Sequence, residues 1–140
     1  ILLWCYAQLN DSGCKNSNIT RKILQKYKIQ NYASEYHFDY ALTKYQLEAS
    51  TNTLKYLKGG YDVLLYCVCG AGKTEIVVNS ISDYLSRGLK VAYAIPRKEV
   101  VIELSYRFKE IFPKANVVAV YGGHHNQIFG DLIVFQYYCS

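Results

Sequence analysis

The stretch Cys67-Val-Cys-Gly-Ala-Gly-Lys-Thr74 decides the fold of this chain. It follows a continuous apolar run over residues 62–68, which is typical of a strand buried on both faces. A helical stretch is predicted from Thr74 to about Ser86, where Arg87-Gly88 ends it. A buried strand, a small-residue loop and a helix in this order predict the opening unit of an α/β domain.

The chain downstream repeats the same alternation. A Pro or a Gly pair closes the first two of the predicted strands, and Pro113 lies just beyond the helix. The segments are a strand Val91–Ile95 before Pro96, a helix Lys98–Phe112, a strand Val117–Tyr121 before Gly122-Gly123, and a further strand Leu132–Phe135. This pattern predicts a parallel sheet with helices on both faces. The carboxyl ends of such strands are where ligands bind.

Upstream of the loop, a helix is predicted from Thr43 to about Lys58. Thr43 is a natural N-cap residue, and Gly59-Gly60 ends the helix. The Thr43-x-x-Gln46 spacing is also that of a capping box, in which Gln46 satisfies the N-cap amide.

The composition limits the kinds of protein that this chain can be. It has 140 residues, 51% of them apolar, with a net charge of +5, which predicts one compact domain and disfavours disorder. No stretch approaches the ~18 apolar residues of a membrane span. The five cysteines contain no CxxC pair and favour a reduced, cytosolic chain. Because the sequence lacks Met and begins at Ile1, we interpret it as part of a longer protein.

The small-residue loop has the chemistry of a phosphate-binding loop. Gly70, Ala71 and Gly72 let backbone N–H groups turn towards a phosphate, and the following helix N-terminus adds partial positive charge. Lys73 neutralises phosphate oxygens, and Thr74 offers a hydroxyl ligand to Mg²⁺. Cys67 stands where the strict motif has Gly. The alternative is a plain glycine-rich turn between a strand and a helix.

Four motifs in order carry a resemblance to a known family. They are Leu42-Thr43-x-x-Gln46, Val68-Cys-Gly-Ala-Gly-Lys-Thr-Glu75, Pro96-Arg-x-x-Val100-x-x-Glu103-Leu104 and Tyr121-Gly-Gly123. Over about residues 36–134 the chain resembles the first RecA-like domain of a superfamily 2 (DEAD/DEAH-like) helicase. Within that superfamily it is most similar to the ComFA-type competence proteins, which help to move transforming DNA into bacteria.

The resemblance implies a function, its cofactors and its partners. It implies an ATP-dependent single-stranded DNA translocase or helicase that uses ATP and Mg²⁺. Its partners would be single-stranded DNA and other competence or DNA-uptake proteins. The protein would be cytoplasmic and held at the inner face of the membrane through those partners, with no span of its own.

The resemblance also implies site residues. Lys73 and Thr74 would be catalytic, with Thr74 on Mg²⁺. The nucleotide-binding set would be Gln46, Cys69, Gly70, Ala71, Gly72, Lys73, Thr74 and Glu75, with Phe38 or Tyr40 stacking on adenine. DNA-binding residues would be Arg97, Gly122 and Gly123.

Several residues have simpler interpretations. Arg97 is equally an ordinary residue after a strand-ending Pro, and Glu103 is read as structural. His124-His125 are expected in an exposed loop. Members of the family carry a four-cysteine zinc module ahead of the helicase core, but Cys5 and Cys14 lack a second pair there, so we expect no zinc site.

The expected domains follow from the motifs. Residues 1–35 are a poorly defined N-terminal segment, read as the remnant of a pre-helicase module. Residues 36–140 are the first RecA-like domain, truncated before the acidic Walker B motif. We therefore expect this piece to bind nucleotide weakly and to hydrolyse it poorly. The alternatives are another P-loop NTPase or kinase, or an inactive remnant that only binds nucleotide or DNA.

Overall fold

The computed structural model describes residues 3–5, 41–124 and 129–137. Three helices and four strands lie in these ranges. They are β1 (Leu3–Cys5), α1 (Lys44–Lys58), α2 (Lys73–Ser86), β2 (Val91–Ile95), α3 (Lys98–Ile111), β3 (Val117–Val120) and β4 (Leu132–Gln136). Phe38, Tyr40, Cys14 and His125, to which the sequence analysis gave roles, lie outside the described residues.

Helix α1 begins with the predicted capping box. The backbone N–H of Thr43 donates to Gln46 Oε1 at 2.9 Å, and the backbone N–H of Gln46 donates to Thr43 Oγ1 at 3.3 Å. Gly59 ends the helix by donating its N–H to the carbonyl of Lys55. Both predicted ends of this helix are confirmed.

The strands form one sheet in the order β1-β2-β4-β3. Strand β4 lies between β2 and β3 and is parallel to both, with Val134 opposite Tyr93 on one side and Ala119 on the other. Strand β1 pairs with β2 in the antiparallel sense. The predicted α/β class with a parallel sheet is confirmed, and the carboxyl ends of β2, β3 and β4 meet at one edge.

The core lies between the sheet and helices α2 and α3. Tyr93 of β2 is 1% exposed; its ring packs edge-on against Phe108 of α3, and its phenol lies beside the side chain of Thr74 of α2. Helices α2 and α3 therefore pack on the same face of the sheet. The described residues do not show a helix on the opposite face, so the prediction of helices on both faces is not confirmed. The side chains on the opposite face are only partly buried: Ala92, Ala94, Ile133 and Phe135.

The prediction of a buried strand over residues 62–68 is wrong for this structure. The run has no regular secondary structure, and Leu64, Tyr66 and Val68 are 90%, 95% and 75% exposed. Continuous apolarity indicates a segment suited to burial on both faces, but a strand also needs a neighbour to complete its hydrogen bonds. No strand in the described part of the chain pairs with residues 62–68.

Among the described residues, no helix is both long enough and apolar enough to cross a bilayer.

Candidate nucleotide site and the neighbouring strand ends

The glycine-rich loop ends on an uncapped helix. Gly70 and Gly72 have φ of +76° and +73°, a left-handed conformation that favours glycine. Gly72 is the N-cap of α2 and supplies no side-chain hydrogen bond, in contrast to Thr43 on α1. The first N–H groups of α2 therefore have no capping side chain, which leaves donors and the positive end of the helix dipole for an anion.

Lys73 closes the loop on itself. Its Nζ donates to the carbonyl oxygen of Val68 at 2.8 Å, and the N–H of Ala71 reaches the same carbonyl at 3.3 Å. The neutral Val68 carbonyl thus holds the ammonium group at the mouth of the loop. It is the one acceptor of this ammonium within the described part of the chain. A phosphate oxygen would be a stronger partner for it, because charge-assisted hydrogen bonds are about twice as strong as neutral ones.

Gln46 contacts the loop as well as its own helix cap. While Oε1 accepts from Thr43, Nε2 donates to the carbonyl oxygen of Ala71 at 3.1 Å, across 25 residues of sequence. A Cβ on Gly72 would lie 2.4 Å from this Nε2 atom. The capping interpretation of Gln46 is therefore confirmed, and the structure adds a contact with the glycine-rich loop that capping alone does not explain.

Two residues that the sequence analysis did not single out lie beneath the loop. The phenol of Tyr93 lies beside the Thr74 side chain, which lowers the pKa of that phenol, and Arg107 of α3 forms an ion pair with Glu75. Burial raises the pKa of the Tyr93 phenol, an effect that Glu75 increases and that the Thr74 side chain and Arg107 oppose. Tyr93 is therefore neutral at physiological pH. Neither contact could be predicted from the sequence, because each joins segments far apart in the chain.

The donor set fits a magnesium-bound triphosphate. Uncapped N–H groups, a lysine ammonium and a threonine hydroxyl stand in consecutive positions at the start of α2. Within the described ranges no group of three or more His, Cys, Asp or Glu could hold a metal ion. A divalent cation at this site would therefore be bound by Thr74 together with phosphate oxygens. Cys69 is exposed in the same loop, as a free thiol.

The predicted DNA-contacting residues lie at the edge where the parallel strands end. Arg97 follows β2, is exposed and is the N-cap of α3, while Gly122 and Gly123 follow β3. Gln136, at the end of β4, connects the two segments: its Oε1 accepts from the N–H of Gly122 at 3.4 Å, and its Nε2 donates to the carbonyl oxygen of Pro96 at 3.3 Å. The structure therefore brings Arg97 and the glycine pair to one place.

A cation and two rings line the same edge. Lys98 Nζ lies 5.2 Å from the ring centroid of Tyr121, and the His124 ring stacks on Tyr121 with centroids 4.9 Å apart. His124 is exposed, as predicted. Lysine, arginine and aromatic rings are the groups that proteins use to bind the backbone and bases of single strands.

Helix α3 runs between the candidate nucleotide site and the strand-end edge that carries Arg97. Arg97 precedes its first residue and Arg107, which pairs with Glu75, lies ten positions later. At 1.5 Å per residue these positions are about 15 Å apart along the helix axis.

A comparison with family models identifies the family to which the chain belongs. Residues 39–138 match the family described as Type III restriction enzyme, res subunit (ResIII). The chain belongs to this family. It is a superfamily 2 helicase-type chain of the ComFA-like kind, with a RecA-like α/β fold, so the resemblance drawn from its motifs is confirmed.

Curated relatives point in the same direction. Competence protein ComFA of Bacillus subtilis (strain 168) is 38% identical over 86 residues, covering 61% of this chain and 19% of that protein. Replication restart protein PriA of Synechocystis is 38% identical over 80 residues (57% and 9%), and Competence protein ComFA of Streptococcus pneumoniae is 32% identical over 71 residues (51% and 16%). The matched part of the chain therefore spans less than a fifth of each relative. No solved structure gives a significant match.

Proposed function

We propose that the chain is part of an ATP-dependent single-stranded DNA translocase or helicase of the ComFA type, acting in DNA uptake. The observation that carries the proposal is the loop at residues 69–75. It combines two left-handed glycines, an uncapped 14-residue helix and Lys73 at its mouth. The names and family of the relatives support the same class of motor.

The loop residues divide the work of holding ATP. Backbone N–H groups of residues 70–74 bind the phosphates with the dipole of α2 behind them. Lys73 exchanges the Val68 carbonyl for phosphate oxygens, and the Thr74 hydroxyl holds Mg²⁺. When bound, Mg²⁺ neutralises charge that develops on the phosphate oxygens. Thr74 and Lys73 are the residues proposed to serve catalysis.

Gln46 is proposed to recognise adenine. Its amide has one donor and one acceptor side, which matches the edge of the base. Each side makes one hydrogen bond, to Ala71 and to Thr43, and keeps a second N–H and a second lone pair for the base. Gln46 would thereby contact the base and the glycine-rich loop at the same time.

DNA is proposed to cross the edge formed by the ends of β2, β3 and β4. Arg97 contacts a phosphate of the strand, and Gly122-Gly123 let backbone N–H groups approach it closely. Lys98 adds a second cation beside Arg97. Such a site binds mainly to the backbone, so its affinity should fall steeply with salt.

The proposed activity of the whole protein differs from that of this chain alone. The parent would be the ATP hydrolase, cytoplasmic and brought to the inner face of the membrane by other DNA-uptake proteins. We divide this chain into residues 1–35, a segment ahead of the helicase core, and residues 36–140, part of the first RecA-like domain. By itself this piece would bind nucleotide and turn it over poorly, because the opposing arginines of a second RecA-like domain complete such sites.

ATPase assays of the full-length protein, with and without single-stranded DNA, test the proposal. We expect DNA to stimulate turnover and Lys73→Ala to abolish it. Turnover that ignores DNA and transfers phosphate to a metabolite would instead identify a small-molecule kinase.

A further inference from the structure

An ion pair between a buried carboxylate and a partly exposed arginine lies beside the proposed phosphate loop. Glu75, in the first turn of α2, is 7% exposed, and its Oε1 atom accepts from a terminal guanidinium nitrogen of Arg107 on α3. A carboxylate at this depth is costly unless a cation compensates it. Arg107 supplies that compensation across a separation of 32 residues in the chain.

The carboxylate also borders the space into which a triphosphate would come. A Cβ built on Gly72 would lie 3.0 Å from Glu75 Oε2, so this oxygen lies close beside the loop. The triphosphate of ATP would bring up to four negative charges to the other side of that backbone. An uncompensated carboxylate here would repel it, since charges in a partly dry site interact more strongly than in water.

We propose that Arg107 is a positioning residue for nucleotide binding, which neutralises Glu75 so that the loop can accept a polyanion. The inference rests on the proposed function of the loop. Arg107 acts through Glu75 and is not itself placed on the phosphates. Glu75 in turn fixes the start of α2, and with it Lys73 and Thr74, against α3.

The proposal makes the effect of Arg107 depend on the charge of the ligand. We would titrate the full chain with fluorescent analogues of ATP, ADP and AMP. Arg107→Gln should weaken ATP binding about tenfold, ADP binding less and AMP binding least, because the repulsion grows with phosphate charge. Arg107→Lys should restore most of the ATP affinity, since it keeps the positive charge.

Removing the carboxylate should remove the need for the arginine. The double variant Glu75→Gln/Arg107→Gln should recover most of the ATP affinity that Arg107→Gln alone loses, because no carboxylate then repels the phosphates. This double variant also keeps the test informative if Arg107→Gln by itself fails to fold, because neither member of the pair is then charged. Its affinity is in that case compared with that of the original chain, and a loss of more than about tenfold would overturn the inference.

A second ion pair on the same helix provides the matched control. Arg87 pairs with Asp83 at 2.8 Å at the far end of α2, where Lys58 also contacts the carboxylate at 2.6 Å. Arg87→Gln should leave the affinity for all three nucleotides unchanged. Any general loosening of α2 would show in this variant as well, and circular dichroism would report it.

The outcomes separate the inference from the function on which it rests. If Lys73→Ala binds ATP like the original chain, the loop is not the nucleotide site and the proposed function fails. If Lys73→Ala loses ATP but Arg107→Gln weakens the three nucleotides equally, or not at all, the inference alone is overturned. Failure of the Glu75→Gln/Arg107→Gln variant to recover ATP binding would also overturn it.

Discussion

Gln136 donates a hydrogen bond from Nε2 to the carbonyl oxygen of Pro96 at 3.3 Å. The other end of the same amide accepts from the N–H of Gly122 at 3.4 Å. One side chain on the central strand β4 thus connects the segments that follow its two neighbours. The segments carry Arg97 and Gly123, so the relative position of the proposed DNA contacts depends on Gln136.

Replacing Gln136 by Met should weaken single-stranded DNA binding. The two hydrogen bonds lost are each worth about 1 kcal/mol, which corresponds to roughly a five- to thirtyfold rise in Kd. Fluorescence anisotropy with a labelled oligonucleotide measures this Kd. The slope of log Kd against log salt should stay constant, because no phosphate contact is removed.

A double-mutant cycle with Arg97→Ala provides the control for this prediction. If Gln136 acts by placing Arg97, its effect should shrink once Arg97 is absent. Additive losses would show that Gln136 affects DNA binding independently of Arg97.

Gly72→Ala should lower the free energy of unfolding more than Gly70→Ala. Both positions have φ above +70°, so each substitution costs about 1–2 kcal/mol of stability through backbone strain. Only at Gly72 would the new methyl group collide with Gln46 Nε2, at 2.4 Å, whereas nothing lies within 4 Å at Gly70. Urea unfolding should rank Gly72→Ala below Gly70→Ala, and equal stabilities would contradict the packing of Gln46 on the loop.

The boundaries of α2, α3 and β2 could be predicted from the sequence because local residues set them. Gly72 ends the loop, Arg87-Gly88 ends α2, and Pro96 ends β2. The observed limits differ from the predicted ones by about one residue. Such signals act over one turn of chain, so they can be read without knowing the rest of the fold.

The sequence could not predict contacts that depend on how elements pack. Residues 62–68 have the composition of a buried strand, but composition does not provide a neighbour. The contacts of Arg107 with Glu75 and of Gln136 with Pro96 join residues 32 and 40 positions apart. The motifs predicted a phosphate loop, which stays a prediction, whereas the contacts of Gln46 and Glu75 with that loop became visible only in three dimensions.

Tyr93→Phe should change how stability depends on alkaline pH. Burial holds the pKa of the Tyr93 phenol above its ordinary 10.0. Above pH 10 the unfolded chain therefore loses this proton while the folded chain keeps it, which destabilises the fold by up to about 1.4 kcal/mol per pH unit. Below pH 10 this contribution is fully present and does not vary with pH.

The phenylalanine variant lacks this ionisation. It should be less stable than the original chain by about 1 kcal/mol at neutral pH, where the polar contact of the buried phenol with Thr74 is lost, and the difference should shrink above pH 10. Urea unfolding from pH 7 to 11 measures this difference in the free energy of unfolding. Tyr45→Phe, at a ring that is 82% exposed, serves as the control. A constant difference across this range would contradict the burial of the phenol.

The central claim is that the loop at residues 69–75 holds the triphosphate of ATP, and a crystal structure of the chain with Mg²⁺ and a non-hydrolysable ATP analogue tests it most directly. We predict phosphates on the N–H groups of the loop, with Lys73 Nζ moved from the Val68 carbonyl to a phosphate oxygen. A loop that stays empty at saturating analogue, with Lys73 still on Val68, would contradict the account.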